Sequence, residues 1–186
     1  MALEEWLRQN KDAVLDRWLD VALSAYPDES SVIFRRQKDP FANPIGHSLR
    51  TGLGGILEAL QGEMDGGKVR EHLHDVLSIR AVQDMAPSTA LGFIFELRNV
   101  ARTGVGGLSE ETRVELDSQV DAIALAAFDI YTQCRERLSE LRINEIKRQV
   151  SWVAKKVNAS DFDPCTAPID RSDPKHGRAE PEQEGV

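Results

Sequence analysis

The feature that most constrains the fold is a long span without a helix breaker. Residues 108–163 contain neither glycine nor proline. The span begins Leu-Ser-Glu-Glu, and this order supplies a hydroxyl cap and carboxylates near the positive end of a helix dipole. We therefore predict one long helix, or two nearly continuous helices, from Leu108 to about Lys156.

The apolar residues of this span form two stripes with different partners. The first stripe suits burial in a globular core and consists of Val114, Val120, Ile123, Ala124, Ala127 and Tyr131. The second, which we call the seam, alternates steps of three and four residues like a coiled coil; it consists of Ile143, Ile146, Val150, Val153 and Val157. The phase slips between Leu141 and Ile143. We predict that the seam pairs with the same residues of a second copy and so forms a homodimer. The alternative is that the seam folds back onto Trp6 and Trp18 of its own chain.

Four further helices are predicted before residue 108, and no strand pattern competes with them. Apolar residues at helical spacing favour helices over residues 3–25, 44–60, 68–83 and 87–103, separated by glycine, proline and other turn residues. Residues 26–44 are predicted to be a long connection. The fold class is therefore all-α, with a domain over residues 1–157. The polar segment 158–186 is predicted to be a disordered tail.

Charge and composition exclude several classes of partner. The formal net charge of −8 disfavours nucleic acid, because phosphate binding requires clustered Lys and Arg. No apolar run approaches the roughly 20 residues that cross a bilayer. The N-terminus lacks the pattern of a secretion signal. We expect a cytoplasmic protein that binds neither membrane nor nucleic acid.

The polar residues do not form a pattern typical of catalysis or metal binding. Cys134 and Cys165 are too few for a disulfide framework or a zinc site, and Cys134 lacks a companion base. His72 and His74 are two residues apart on a predicted helix and point in different directions, so they cannot chelate one ion. We predict no enzyme activity, no cofactor and no metal. Haem bound through one histidine is the less favoured alternative.

Two segments that join a loop to a helix carry the remaining motifs. In the first, Asn43 precedes Pro44 and can cap a helix whose first position tolerates proline. In the second, Arg80 and Asp84 are four residues apart, so they can pair on a helix or, if partly buried, order the turn that contains Pro87. Asn43 and Gln83 can also form hydrogen bonds across loop ends. Structural roles are favoured for these residues over roles in signalling.

Together the two segments resemble one known family. The first reads Phe41-Ala42-Asn43-Pro44-Ile45-Gly46; the second reads Arg80-Ala81-Val82-Gln83-Asp84, followed by Pro87, Ser88, Ala90 and Phe93. Over residues 3–156 the chain resembles the N-terminal domain of the RsbT co-antagonists, the RsbR-type proteins of the bacterial stressosome. The resemblance implies a globin-like helical fold without haem, a dimer, and a long last helix that leads to a STAS domain. Here a polar tail follows instead, so we expect sensing or scaffolding rather than kinase antagonism.

The sequence and the resemblance together predict a haem-less sensory or regulatory domain. A change in packing between the core and the long helix would be passed to a regulatory protein partner. The alternatives are a pure dimerisation module, or a domain that binds a small apolar ligand. For the last, the aromatic residues predicted to form the core are the candidate lining: Trp6, Trp18, Phe93, Phe95 and Phe128.

Overall fold

Six helices make up the described part of the chain. The computed structural model describes residues 2–37, 39–61, 65–104 and 108–160. The helices are α1 (Leu3–Leu23), α2 (Asp28–Arg36), α3 (Pro44–Ala59), α4 (Gly66–Val82), α5 (Pro87–Gly104) and α6 (Glu110–Ser160). Within those described ranges there is no strand, which confirms the all-α prediction.

The last helix, α6, is continuous over 51 residues, as the absence of glycine and proline predicts. The chain nevertheless divides into two compact units, with the boundary between Arg142 and Ile143. This boundary coincides with the predicted slip in apolar phase. No helix in the described part of the chain has the length and apolar character needed to span a membrane.

The core of the first unit lies between α1 and the helices around it. α1 packs on α3 and α5, and α3 packs closely on α4. At the α3–α4 crossing a Cβ added at Gly52 would lie 2.5 Å from Val76 Cγ2, and one at Gly55 would overlap the His72 ring. Two glycines on one face of α3 therefore let the helices approach closely. Large buried side chains at this core include Leu7, Trp18, Leu49, Leu53, Leu73 and Ile94.

The connection predicted over residues 26–44 contains a helix, α2, that was not predicted from the sequence. Its nine residues include three apolar side chains that are consecutive, Val32, Ile33 and Phe34, so they show no repeat at helical spacing. Its ends instead carry charges that suit the helix dipole. Asp28 and Glu29 lie in the first turn, and Arg35 and Arg36 lie in the last.

Three residues predicted to be buried are exposed. Val114 is 64% exposed, Phe95 47% and Phe128 57%. The buried apolar residues of α6 begin two residues later, at Leu116, and residues two apart lie on nearly opposite sides of a helix. The stripe then runs through Val120, Ile123, Ala127, Ile130 and Tyr131.

Some predictions concern residues that lie outside the described ranges of the chain. The expected tail lies almost entirely within residues 161–186, which are outside the described residues. The side chain of Val157 and the position of His176 are outside them as well. The domain boundary at residue 157 and the globin-like arrangement remain predictions.

Candidate functional site

The first motif fixes the junction between α2 and α3 through Asn43. Its side-chain oxygen accepts a hydrogen bond from the Gly46 amide at 2.9 Å, which confirms the predicted cap. Its side-chain nitrogen donates to the carbonyls of Phe34 at 2.7 Å and Gln37 at 2.8 Å. Asn43 is buried, so these three bonds satisfy a polar group that would be costly if unpaired. One amide thus caps α3 and holds the end of α2.

Gly46 makes this arrangement possible because a side chain would not fit there. A Cβ at residue 46 would lie under 3.0 Å from the Asn43 amide and from the backbone oxygen of Phe34. Backbone cannot move aside as a flexible side chain can. The motif therefore requires glycine at residue 46 for close approach rather than for an unusual φ angle.

Phe41 is the motif residue that packing does not explain. It is 97% exposed, and its amide donates to the Asp39 carboxylate at 3.0 Å. The preceding helix exposes two more apolar side chains, Val32 and Ile33. This end of the first unit therefore presents apolar groups to solvent.

The second motif is organised around a fully buried arginine, Arg80. Its guanidinium donates to the carbonyls of Ala22 at 2.7 Å and Ala90 at 2.9 Å, with a longer contact to Thr89. Ala22 lies in the last turn of α1, where carbonyls lack partners within the helix and carry the negative end of its dipole. Arg80 thus serves as a cap supplied by another helix.

Aromatic rings surround the same guanidinium. Arg80 lies 4.5 Å from the ring centroid of Phe93 and 5.8 Å from that of Tyr26, distances at which a cation attracts a π face. Burial lowers the pKa of Arg80, although the nearby Tyr26 opposes this shift. Burial also shifts the pKa of the Tyr26 hydroxyl, in this case upward. The charge of Arg80 and the side chain of the exposed Gln83 oppose that rise. Carbonyls and rings, rather than a carboxylate of the described residues, balance this charge.

The predicted pairing of Arg80 with Asp84 is wrong. Asp84 forms an ion pair with Arg135 of α6 instead. Its φ angle of 59° places it in the left-handed region, where the chain leaves α4 and can no longer follow the helix. The carboxylate is therefore not on the helical face that carries Arg80.

Two residues of α6 hold the turn between α4 and α5. Arg135 also donates to the carbonyl of Ala81 at 3.0 Å, and the Tyr131 hydroxyl donates to the carbonyl of Met85. We call these bonds, with the Asp84–Arg135 ion pair, the turn–α6 contact. The roles of Tyr131 and Arg135 were not predicted from the sequence, because their partners lie 46 and 54 residues away. No local spacing could have shown them.

Phe93 joins the second motif to α1. Its ring lies 5.8 Å from that of Trp18, and its carbonyl accepts a hydrogen bond from the Trp18 indole at 2.7 Å. Both side chains are buried, as predicted. Because Phe93 also faces Arg80, the motif connects α1, α4 and α5.

A groove of about 680 Å³ opens between α5 and α6, on the side away from this packing. Pro87 and Ser88 of the second motif lie at its border, and both are exposed. Phe95 and Phe128, which were predicted to be core, line it. Its apolar lining includes Leu91, Phe95, Ala124, Leu125 and Phe128.

The described seam residues lie in the second unit and are exposed. Ile143, Ile146, Val150 and Val153 are 51–63% exposed. Their β-branched side chains are therefore accessible to a second helix, and homodimer formation through the seam remains a prediction.

The histidines do not meet in one place. His47 and His74 are exposed, while His72 packs against Gly55. Across the described ranges, no three His, Cys, Asp or Glu side chains are grouped as a metal site would require.

The fold and these contacts define a helical domain in which partly buried hydrogen bonds and an ion pair join the turn between α4 and α5 to the long helix α6. The family model for the RsbT co-antagonist protein rsbRD N-terminal domain matches residues 12–146. The chain belongs to this family, which indicates a sensory or regulatory role in stressosome signalling. No match was found among curated proteins or among solved structures.

Proposed function

We propose that the chain is a non-enzymatic sensory protein in which the turn between α4 and α5 passes a change in packing to α6. The turn–α6 contact is the observation that supports this most. Through it the turn, which carries the family motif, is bonded to the helix that continues into the second unit. A signal that favours one arrangement of the turn would change the stability of these bonds.

The turn can act in this way because its geometry depends on bonds from both sides. Arg80 holds the carbonyls of α1 and α5 on one side of the motif. Tyr131 and Arg135 hold the turn from α6. Asp84 adopts a φ angle that is unfavourable for a non-glycine residue, and the ion pair helps to maintain it. Loss of the α6 bonds would release this local strain.

Hydrogen exchange of the Arg135→Ala variant tests the relay. We expect faster amide exchange in the turn at residues 83–86 and in α6 around residue 135, because both sides lose bonds. Arg137→Ala is the matched control, since Arg137 is an exposed arginine on the same helix. If exchange in the turn is unchanged in Arg135→Ala, the turn and α6 are not coupled and the proposal is wrong.

We also propose that the chain forms a homodimer through the seam and delivers its output to a regulatory protein partner. Burial of apolar surface is favourable by about 25 cal/mol per Å², so several hundred Å² on each chain would offset part of the cost of association. β-branched residues at the seam positions suit helix pairing. A pure dimerisation module is the second candidate, and it would share this interface without the relay.

The double variant Ile146→Glu and Val153→Glu tests the dimer. We expect a folded monomer by light scattering, with helical circular dichroism largely retained, because both residues are exposed in the single chain. Arg148→Glu together with Lys155→Glu provides the control: these residues lie off the seam on the same helix, and dimerisation should persist. A double seam variant that remains dimeric would rule out the seam as the interface.

A further inference from the structure

Gly92 leaves a space on α5 that nothing in the described chain fills. It lies inside the helix, where glycine costs about 1 kcal/mol relative to alanine. A Cβ added there would meet no atom within 4 Å, whereas one at Gly46 would collide with backbone. Close packing within the chain therefore does not require glycine at residue 92. The space over it is available to a molecule from outside the chain.

The surroundings of Gly92 are apolar and concave. Phe95 and Leu91 lie on the same helix, and Leu125 and Phe128 lie across the groove on α6. Phe95, Leu125 and Phe128 are all exposed, although full burial of one such side chain is favourable by about 1.5–3 kcal/mol. The groove volume of about 680 Å³ lies within the range of small-molecule sites.

The charges at the groove favour an uncharged ligand. Among its described lining residues, Asp121 is the one that carries a charge. That carboxylate is already paired with Arg98, which also contacts Asp117 at 3.3 Å and lies 6.0 Å from the Phe95 ring. An anion would meet the Asp121 carboxylate without an uncommitted cation among the lining residues. A neutral apolar molecule avoids this repulsion and needs no counter-charge.

We propose that the groove between α5 and α6 binds a small uncharged molecule with an aromatic or aliphatic body, seated over Gly92 and between Phe95 and Phe128. This inference rests on the proposed sensory function and assigns the ligand class to it. Phe128 is three residues before Tyr131 on α6, and Pro87 follows Met85 closely at the turn. Ligand binding would therefore act next to the turn–α6 contact.

Titration with N-phenyl-1-naphthylamine, a neutral fluorescent probe, tests the site. We expect saturable binding of one probe per chain to the full-length protein. Gly92→Leu should weaken binding at least tenfold, because the new side chain fills the groove. Gly66→Leu is the matched control, since a Cβ at Gly66 also meets no atom within 4 Å but lies on α4. Absence of saturable binding, or equal binding by wild type and Gly92→Leu, would overturn the proposal.

Two further measurements separate the remaining explanations. Leu125→Asp, at an exposed position, should also weaken binding without unfolding the chain, so the test does not depend on one variant. The sulfonated analogue 8-anilinonaphthalene-1-sulfonate should bind more weakly than the neutral probe, and tighter binding would contradict the ligand class. If Gly92→Leu converts a dimer to a monomer by light scattering, a second copy occupies the groove and the ligand proposal is wrong. Probe binding does not require α6 to relay a signal. A failed relay would therefore appear in the hydrogen exchange of Arg135→Ala, and a failed ligand site would appear in the probe titration.

Discussion

Replacement of Gly46 by alanine tests whether the α2–α3 junction depends on close packing. The added Cβ would lie under 3.0 Å from the Asn43 amide and the Phe34 carbonyl oxygen. Either Asn43 must leave its position or the end of α2 must move. In both cases the bonds that Asn43 forms to Gly46, Phe34 and Gln37 are weakened together.

The expected cost follows from those bonds. Loss of an N-cap costs about 1 kcal/mol, and loss of the donor to the partly buried carbonyls of Phe34 and Gln37 costs about 1–3 kcal/mol more. Alanine recovers up to about 1 kcal/mol through its helix propensity, and less near the helix start. We therefore expect Gly46→Ala to lower the free energy of unfolding by about 2–3 kcal/mol, within a usual total of about 5–15 kcal/mol.

Urea denaturation followed by circular dichroism measures this change, provided that the m-value is the same in both proteins. Gly92→Ala is the internal comparison, because it makes the same substitution where no atom interferes. It should raise the free energy of unfolding by about 0.5–1 kcal/mol. Two results would show that close contact is not the reason for glycine at residue 46. One is a change of stability in the same direction in both variants; the other is a free energy of unfolding of Gly46→Ala within about 0.5 kcal/mol of wild type.

Two further predictions concern Arg80 and Asp65. Arg80→Ala should lower the free energy of unfolding, measured in urea, by about 2–4 kcal/mol, because the Ala22 carbonyl loses its donor and a cavity forms. Arg80→Met retains the volume and should cost less. An equal loss in both variants would show that the cavity does not contribute. The pKa of Asp65 is lowered from 3.8, first by the amide of Lys68 and also by that of Gly67. Its contribution to stability is therefore present above about pH 4 and is lost as pH falls through the lowered pKa. Denaturation at pH 7 and pH 3 should show a smaller loss of stability on acidification for Asp65→Asn than for wild type; identical pH dependence would refute this role.

The proposed relay depends on contacts between helices that are distant in sequence. Arg80 holds α1 and α5, and the turn–α6 contact connects the same motif to α6. Three polar residues of the motifs, Asn43, Arg80 and Asp84, have defined bonding roles. Phe41, Pro87 and Ser88 differ, since they are exposed and border surfaces rather than the core. Like the exposed Val82 and Gln83, they are motif residues available to a ligand or partner.

Features that depend on neighbouring residues were predictable from the sequence. The cap at Asn43, the proline at the start of α3 and the continuous α6 all follow from backbone groups within one or two helical turns. The family could also be identified from the two motifs, since residue types and spacings are themselves sequence properties. The buried positions of α3 and α4 followed from their period, because those helices have one clear apolar face.

Other features were decided by tertiary structure alone. α2 was not predicted because its apolar residues are consecutive and show no helical repeat. Phe95 and Phe128 were assigned to the core because apolar character does not say which side of a helix will be covered. The partners of Arg80 and Arg135 depend on carbonyls that reach them only after the helices pack. A local pattern predicts which side chains can be buried, whereas the packing of several helices determines which ones are and which polar groups they meet.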